Sequence, residues 1–302
     1  MSVITSSSFA KALWPGVNAW YGKSYNDYPA EWDQLFEKNT SKKAYEEDVG
    51  ISSLGLASIK SEGAPIVYDS ERQGFTTRYN HIVYALGFVI TREIFEDDQY
   101  DVVGKKKAQS LARSMRQTKE IIAANVYNRA TTSGYTGGDG IVLLSTAHVN
   151  VAGGTYSNTL STAADLSEAS LEQAFIDIEG FTDDRGLIIA AKPKQLILPR
   201  QLRFEASRIL DSTGRVGTDN NDNNALKDSG LFKNVTINHY LTDTDAWFIR
   251  TDVPEGMKYF ERRGDQFEMD NDFDTENAKF KATARYAFGW SDPRAVYGSP
   301  GA

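Results

Sequence analysis

Between Asp101 and Ala130 the sequence carries one amphipathic helix, a rod of roughly 40 Å at the usual rise per residue. Ala108, Leu111, Ala112, Met115, Ile122 and Val126 fall on one face, and Lys106, Arg113, Arg116 and Glu120 on another. Glu96, Asp97, Asp98 and Asp101 sit before or at its start, where the positive end of the helix dipole favours carboxylates. Lys119 lands near the apolar face, and nothing in the sequence explains it. A rod of this length must be flanked by other layers. The chain has 302 residues, beyond what one core usually supports, so two core regions are expected.

The flanking segments differ in kind. Residues 1–45 read as an extended arm with spaced aromatics, Trp14, Trp20, Tyr21, Tyr25, Tyr28 and Trp32, and a short helical stretch near Ala30 to Lys38. Such rings are worth about 1.5–3 kcal/mol each when buried, so something must cover them, and a neighbouring subunit fits at least as well as the arm itself. Residues 46–95 read as strands: Ile66–Tyr68, alternating Phe75, Thr77 and Tyr79, then Ile82–Leu86 and Phe88–Thr91. Polar Asp69 to Gly74 joins them into a ribbon that needs outside support.

After the helix, the Ser/Thr/Gly run Thr131 to Gly140 is the expected crossing into a second unit. An α/β pattern follows: a helix over Leu166–Phe181, strands at Leu187–Ala190 and Gln195–Leu198, a helix starting at Pro199, and strands at Val235–Tyr240 and Trp247–Arg250. An Asn/Asp-rich loop lies at Thr218–Asn224. From Lys279 to Trp290 the chain alternates Phe280, Ala282, Ala284, Tyr286, Phe288 and Trp290 against Lys281, Thr283 and Arg285, the pattern of a long strand with one buried face. The implied topology is discontinuous, with an α/β unit inserted before a closing strand that returns to the helix.

Composition narrows the chemistry. There is no cysteine, so disulfides, thiolate metal sites and cysteine nucleophiles are excluded, which fits a reducing, cytoplasm-like compartment. In such a compartment the sequons at Asn39 and Asn234 carry no meaning. A net charge of -8 argues against avid DNA binding, which draws its affinity from Lys and Arg on phosphates. No apolar run is long enough for a membrane span, and no secretory pattern opens the chain.

Motifs for catalysis or metal binding do not assemble. His81, His148 and His239 lack the paired spacing of metal sites. Asp270, Asp272 and Asp274 have the start of a calcium-loop spacing, but Thr275 and Lys281 stand where glycine and glutamate are required. Gly137–Gly140 lacks the lysine of a phosphate loop. The basic face of the long helix, Lys105, Lys106, Lys107, Arg113 and Arg116, reads as a solvated or intersubunit face more than as a nucleic-acid site. No cofactor, metal or catalytic residue is expected.

The order of these parts resembles the major capsid proteins of tailed bacteriophages with the Hong Kong 97-type fold. The resemblance spans nearly the whole chain. It is carried by the aromatic arm from Trp14 to Trp32, the segment Tyr84 to Thr91, the long basic helix, Lys194 to Pro199, and the ending Phe273 to Trp290. It implies an α+β fold with an N-terminal arm at 1–45, an E-loop ribbon at 46–95, a peripheral domain at 96–135 and 255–302 with the long helix as its spine, and an axial domain at 136–254. It implies a non-enzymatic virion protein, assembled in the host cytoplasm, whose hexamers and pentamers build an icosahedral head around double-stranded DNA held without sequence specificity. Trp14, Trp20, Tyr25, Trp32, Arg72 and Arg78 would then contact neighbouring subunits. A portal and, in some members, a decoration protein would be partners, and the start of the arm near Met1 points to a separate scaffolding protein. Lys60 is one candidate for the Lys-to-Asn crosslink of some members, though no feature identifies a pair. The rivals are an encapsulin-like shell around protein cargo and a soluble α/β enzyme.

Overall fold

The apolar stripe of the long helix finds its cover in a sheet. A computed structural model describes residues 18–27, 29–96, 100–214, 223–229, 234–271 and 277–302. In it a short helix, α1, spans 18–25, a 3-10 turn covers Trp32–Gln34, and strands β1 (Glu37–Thr40), β2 (Tyr45–Ile51), β3 (Gln73–Asn80) and β4 (Ile82–Ile90) follow. Next come α2 (Arg92–Glu96) and the 29-residue α3 (Tyr100–Asn128). The middle of the chain holds β5 (His148–Val149), β6 (Thr155–Tyr156), α4 (Glu168–Glu179), β7 (Pro193–Pro199), α5 (Arg203–Asp211), α6 (Ala225–Ser229), β8 (Val235–Asn238) and β9 (Trp247–Thr251). It closes on β10 (Met257–Asn271), β11 (Ala278–Trp290) and β12 (Val296–Ser299).

Two four-stranded sheets organise these elements, ordered β1-β10-β11-β4 and β12-β9-β7-β8. In the first, α3 lies against β4 and β11. Leu111, Ala112 and Met115 of the helix share one core with Ala282, Ala284 and Tyr286 of β11 and with Leu35 and Phe36 from the arm. Alanines on both surfaces let helix and sheet approach closely. In the second sheet β7 is central, and its run Leu196-Ile-Leu198 is fully buried because both faces are covered. Leu171, Phe175 and Ile178 of α4 fill one side, and that helix starts cleanly because Ser167 and Ser170 cap each other's backbone N–H groups.

Several sequence expectations are corrected. Residues 30–38 hold a single 3-10 turn and then β1, which pairs in parallel with β10, because the strand edge outcompetes a weak helical pattern. Ile66–Tyr68 is irregular, and Leu187–Ala190 makes a lone bridge, Thr182 with Ile188, in place of a strand. Pro199 ends β7 and precedes a 3-10 turn, so the helix starts at Arg203. β4, read above as ribbon, pairs with β11, where Tyr84 stacks on Tyr286 at 4.7 Å and Phe88 on Phe280 at 4.8 Å. The Asn/Asp-rich loop lies almost wholly outside the described residues, as do Asp97 and Asp98 and, in the acidic run, Asp272, Asp274 and Thr275.

Candidate assembly interface

The arm is pinned by a pair of adjacent residues on α3. Glu120 accepts the backbone N–H groups of Glu31 and Trp32 at 3.1 and 2.9 Å. Its neighbour Lys119 is buried beneath the ring of Trp32, 4.4 Å from its centroid, and lies 4.7 Å from Tyr259 and 5.4 Å from Tyr286. Burial pushes the Lys119 amine below its ordinary range, and Asp265 and Glu261, the latter 3.6 Å away, offset part of this. A cation among three ring faces explains why lysine sits on the apolar side of the helix.

Farther up the arm, Tyr21 stacks on Phe267 at 4.6 Å, and Tyr25 donates to Asp265 at 2.5 Å while Arg116 donates to the Tyr25 carbonyl at 2.6 Å. Trp20 is half-buried beside Ile90, Ala108 and Phe280. Of the two covers open to these rings, the chain itself or a neighbour, Trp32, Tyr21 and Tyr25 find theirs within the chain. Trp14 lies outside the described residues.

The ribbon is the antiparallel pair β2–β3, running from Tyr45 opposite Asn80 to Ile51 opposite Gln73. Arg78 pairs with Glu47 across the strands at 2.7 Å and stacks over Tyr45 at 4.1 Å. Arg72 is exposed, and its backbone N–H donates to the Ser52 hydroxyl at 2.8 Å. At the base the Tyr79 ring is buried with Phe260 and Ala287, and it lies over Gly289, where a Cβ would come within 2.9 Å of it. Lys258 donates to Asp48 at 2.6 Å and also to Glu255. Ser291 donates to Asp48 at 2.6 Å, which leaves Tyr79 to donate to Ser291 at 2.5 Å.

Beyond the paired strands, residues 52–72 carry apolar side chains with no cover. Leu56 is 82% exposed, Ile59 100%, Val67 76% and Tyr68 90%. Sequence reading gave this role to the arm's rings and, through Arg72 and Arg78, to the ribbon, and did not single out the apolar side chains of the tip. The signal was available in Leu54, Leu56, Ile59, Ile66 and Val67, apolar residues in a stretch with neither helical nor strand periodicity.

Elsewhere the polar groups serve the chain itself. Lys107 donates to the Val89 carbonyl at 2.9 Å and Arg116 turns toward the arm, whereas Lys105, Lys106 and Arg113 remain exposed. His148 is buried, with Nδ1 2.6 Å from Asp139 and its ring against Tyr156 at 5.2 Å. His81 meets Ser41, and His239 meets Glu31. A cavity of about 690 Å³ lies beneath the ribbon, lined by Val49, Phe75, Tyr156, Ile189 and Arg294 among others. The Arg294 guanidinium there donates to Asn150 and the Thr182 carbonyl and stacks on Tyr156 at 3.9 Å, so it faces protein partners. Among the described residues no three His, Asp or Glu side chains converge as a metal site, and no helix is long and apolar enough to cross a membrane.

Residues 74–299 match a protein family described as phage capsid protein. No curated protein matches the sequence. Among solved structures, the chain is similar to a virus-like particle from Pyrococcus furiosus, with a TM-score of 0.55 at 10% identity over 94% of this chain and 98% of that one. It is similar to the procapsid of bacteriophage JBD30, at 0.53 and 12% identity over 97% of this chain and 75% of that one. A third match is the capsid of the Myoviridae phage XM1, at 0.53 and 9% identity over 92% and 94%.

Proposed function

The chain belongs to the phage capsid protein family, and from that premise we propose how it builds a shell. Its fold is the Hong Kong 97-like capsid fold, and it is a structural capsid subunit. In the proposed assembly, hexamers and pentamers close an icosahedral head around phage double-stranded DNA. The arm is 1–45, the E-loop is the part of 46–95 ahead of β4, the peripheral domain is 96–135 with β4, β10 and β11, and the axial domain is 136–254 with β12. The observation that carries this reading is the exposed apolar tip at Leu54–Tyr68, which a lone subunit leaves in water and a repeated neighbour would cover. With a net charge of -8, the shell would enclose DNA without gripping it. A scaffolding protein, a portal and a decoration protein are its proposed partners, and the host cytoplasm its place of assembly.

Electron microscopy of the chain expressed alone and with its neighbouring scaffold gene, with mass from light scattering, tests this. Closed shells or isolated hexamers and pentamers support it, and a monomer under every condition refutes it. Because Trp32 belongs to the subunit core, truncation should stop at residue 17: that deletion should leave the subunit folded and abolish shells. Of the residues proposed to touch neighbours, Arg72 is free to do so, whereas Arg78, Tyr25 and Trp32 act first inside the chain and Trp14 and Trp20 add to the arm contact. Arg72→Glu should lower assembly yield more than Arg78→Glu, and an unchanged yield for Arg72→Glu would remove Arg72 from the interface.

A second reading, an encapsulin-like shell around protein cargo, stands beside it, because the fold is shared with a virus-like particle from Pyrococcus furiosus across 98% of that chain. Nuclease-protected DNA in purified particles separates the two, since a cargo shell would contain protein in its place.

A further inference from the structure

The ribbon tip is tied to its own subunit. Arg185, in the turn after α4, donates to the Ser70 carbonyl at 2.7 Å and lies 3.3 Å from the Asp69 carboxylate. Asp69 also accepts the Gly55 N–H at 2.8 Å, which clasps the two sides of the tip together. Beside it Ser53 and Asp183 line one cavity, and Asp183 orders the same turn by accepting the N–H groups of Arg185 and Leu187 at 2.8 and 2.9 Å. These ties are polar and near the surface, where such contacts are weak.

The bare apolar side chains of the tip do not reinforce them. The cavity of about 690 Å³ lies under the ribbon, between it and the turn, and Leu56, Ile59, Val67 and Tyr68 stay bare although the tip is docked. Between the buried base and this tip the ribbon has a waist. Gly50 and Gly74 face each other beside a bulge, and a Cβ on Gly74 would lie 3.0 Å from the Gly50 carbonyl oxygen. Two facing glycines leave no side-chain packing to resist bending there.

We propose that Arg185 is a self-docking latch: in the free subunit it holds the ribbon tip against its own α/β layer, and the tip must leave Arg185 before it can cover a neighbour. The latch sets the rate at which subunits nucleate a shell, and the finished shell does not depend on it. The occupant of the released tip is a second copy of this chain, since the tip offers apolar cover and a repeated subunit presents the same surface each time. The inference rests on the shell reading.

The absence of cysteine makes the test direct, because S53C/D183C introduces the sole pair of thiols. Reduced, this variant should assemble at least as fast as the unmodified chain, because D183C also removes the carboxylate that orders the Arg185 turn. Oxidised to the disulfide, it should remain unassembled, and reductant should restore assembly. Arg185→Ala should shorten the assembly lag several-fold and speed hydrogen exchange across 52–70 without changing shell size. Assembly of the oxidised variant at the reduced rate, or an unaltered lag for Arg185→Ala, would overturn the latch while leaving the shell reading intact. Failure of the unmodified chain to assemble under any condition would overturn the shell reading, and the latch with it.

Discussion

At the base of the ribbon Lys258, Asp48, Ser291 and Tyr79 meet largely out of water, whereas at its tip Arg185, Asp69 and Ser70 meet at the surface. The same kinds of group are used twice, with opposite consequences. At the base, removing one partner strands another in a low-dielectric site, so the contact is costly to break. At the tip, water replaces a lost partner at little cost. A ribbon built this way keeps a fixed root and a movable end, which suits a segment that must be placed by its own subunit and completed by another.

Lys258→Met tests the contrast most severely. It should cost about 3 kcal/mol of unfolding free energy, the low end for breaking a buried pair, because Asp48 keeps some contact with water. Denaturant unfolding measures this, and a loss under half that size would mean the base is held by packing alone. The same pair fixes a pH dependence. Although burial lowers the Lys258 pKa, Asp48 and Glu255 more than offset it and hold it above the ordinary 10.5. Its contribution is therefore complete below pH 10.5 and disappears as pH rises through the raised value. The unmodified chain should lose stability there, and Lys258→Met should lack that step.

Tyr79→Phe removes one hydrogen bond from the base and keeps the ring over Gly289, so about 1 kcal/mol is expected. An unchanged unfolding midpoint would show that Ser291 finds another partner.

At the tip the effect is local. The N–H groups of Gly55 and Ser70, then Arg185, hold the Asp69 carboxyl below its ordinary 3.8. Its contribution is present above pH 3.8 and is lost as pH falls through the depressed value. The Gly55 amide resonance should titrate with a midpoint below 3.8 while amides at the base stay still. A midpoint at or above 3.8 would separate Asp69 from the clasp.

How much of this was legible in the chain follows from the range of each interaction. The helix at 101–130 appears as Tyr100–Asn128 and the closing strand at 279–290 as Ala278–Trp290, because periods of 3.6 and 2 are written locally in consecutive residues. β7, β8 and β9 were legible for the same reason. The capsid family was also legible, through the order of such segments. Lys119 was visible as an anomaly but not as a solution, since Trp32, Glu261 and Tyr286 reach it from three other elements.

What only the tertiary structure decided were the pairings. β1 took a strand edge more than 200 residues away over a local helix, and β4 chose β11 over the ribbon. Trp32 and Tyr25 found cover at home, and the uncovered apolar surface moved to the ribbon tip. Local periodicity determines which element a segment forms. Which edge it pairs with, and which face is left for a neighbour, depends on competition among distant partners that no single stretch of sequence records.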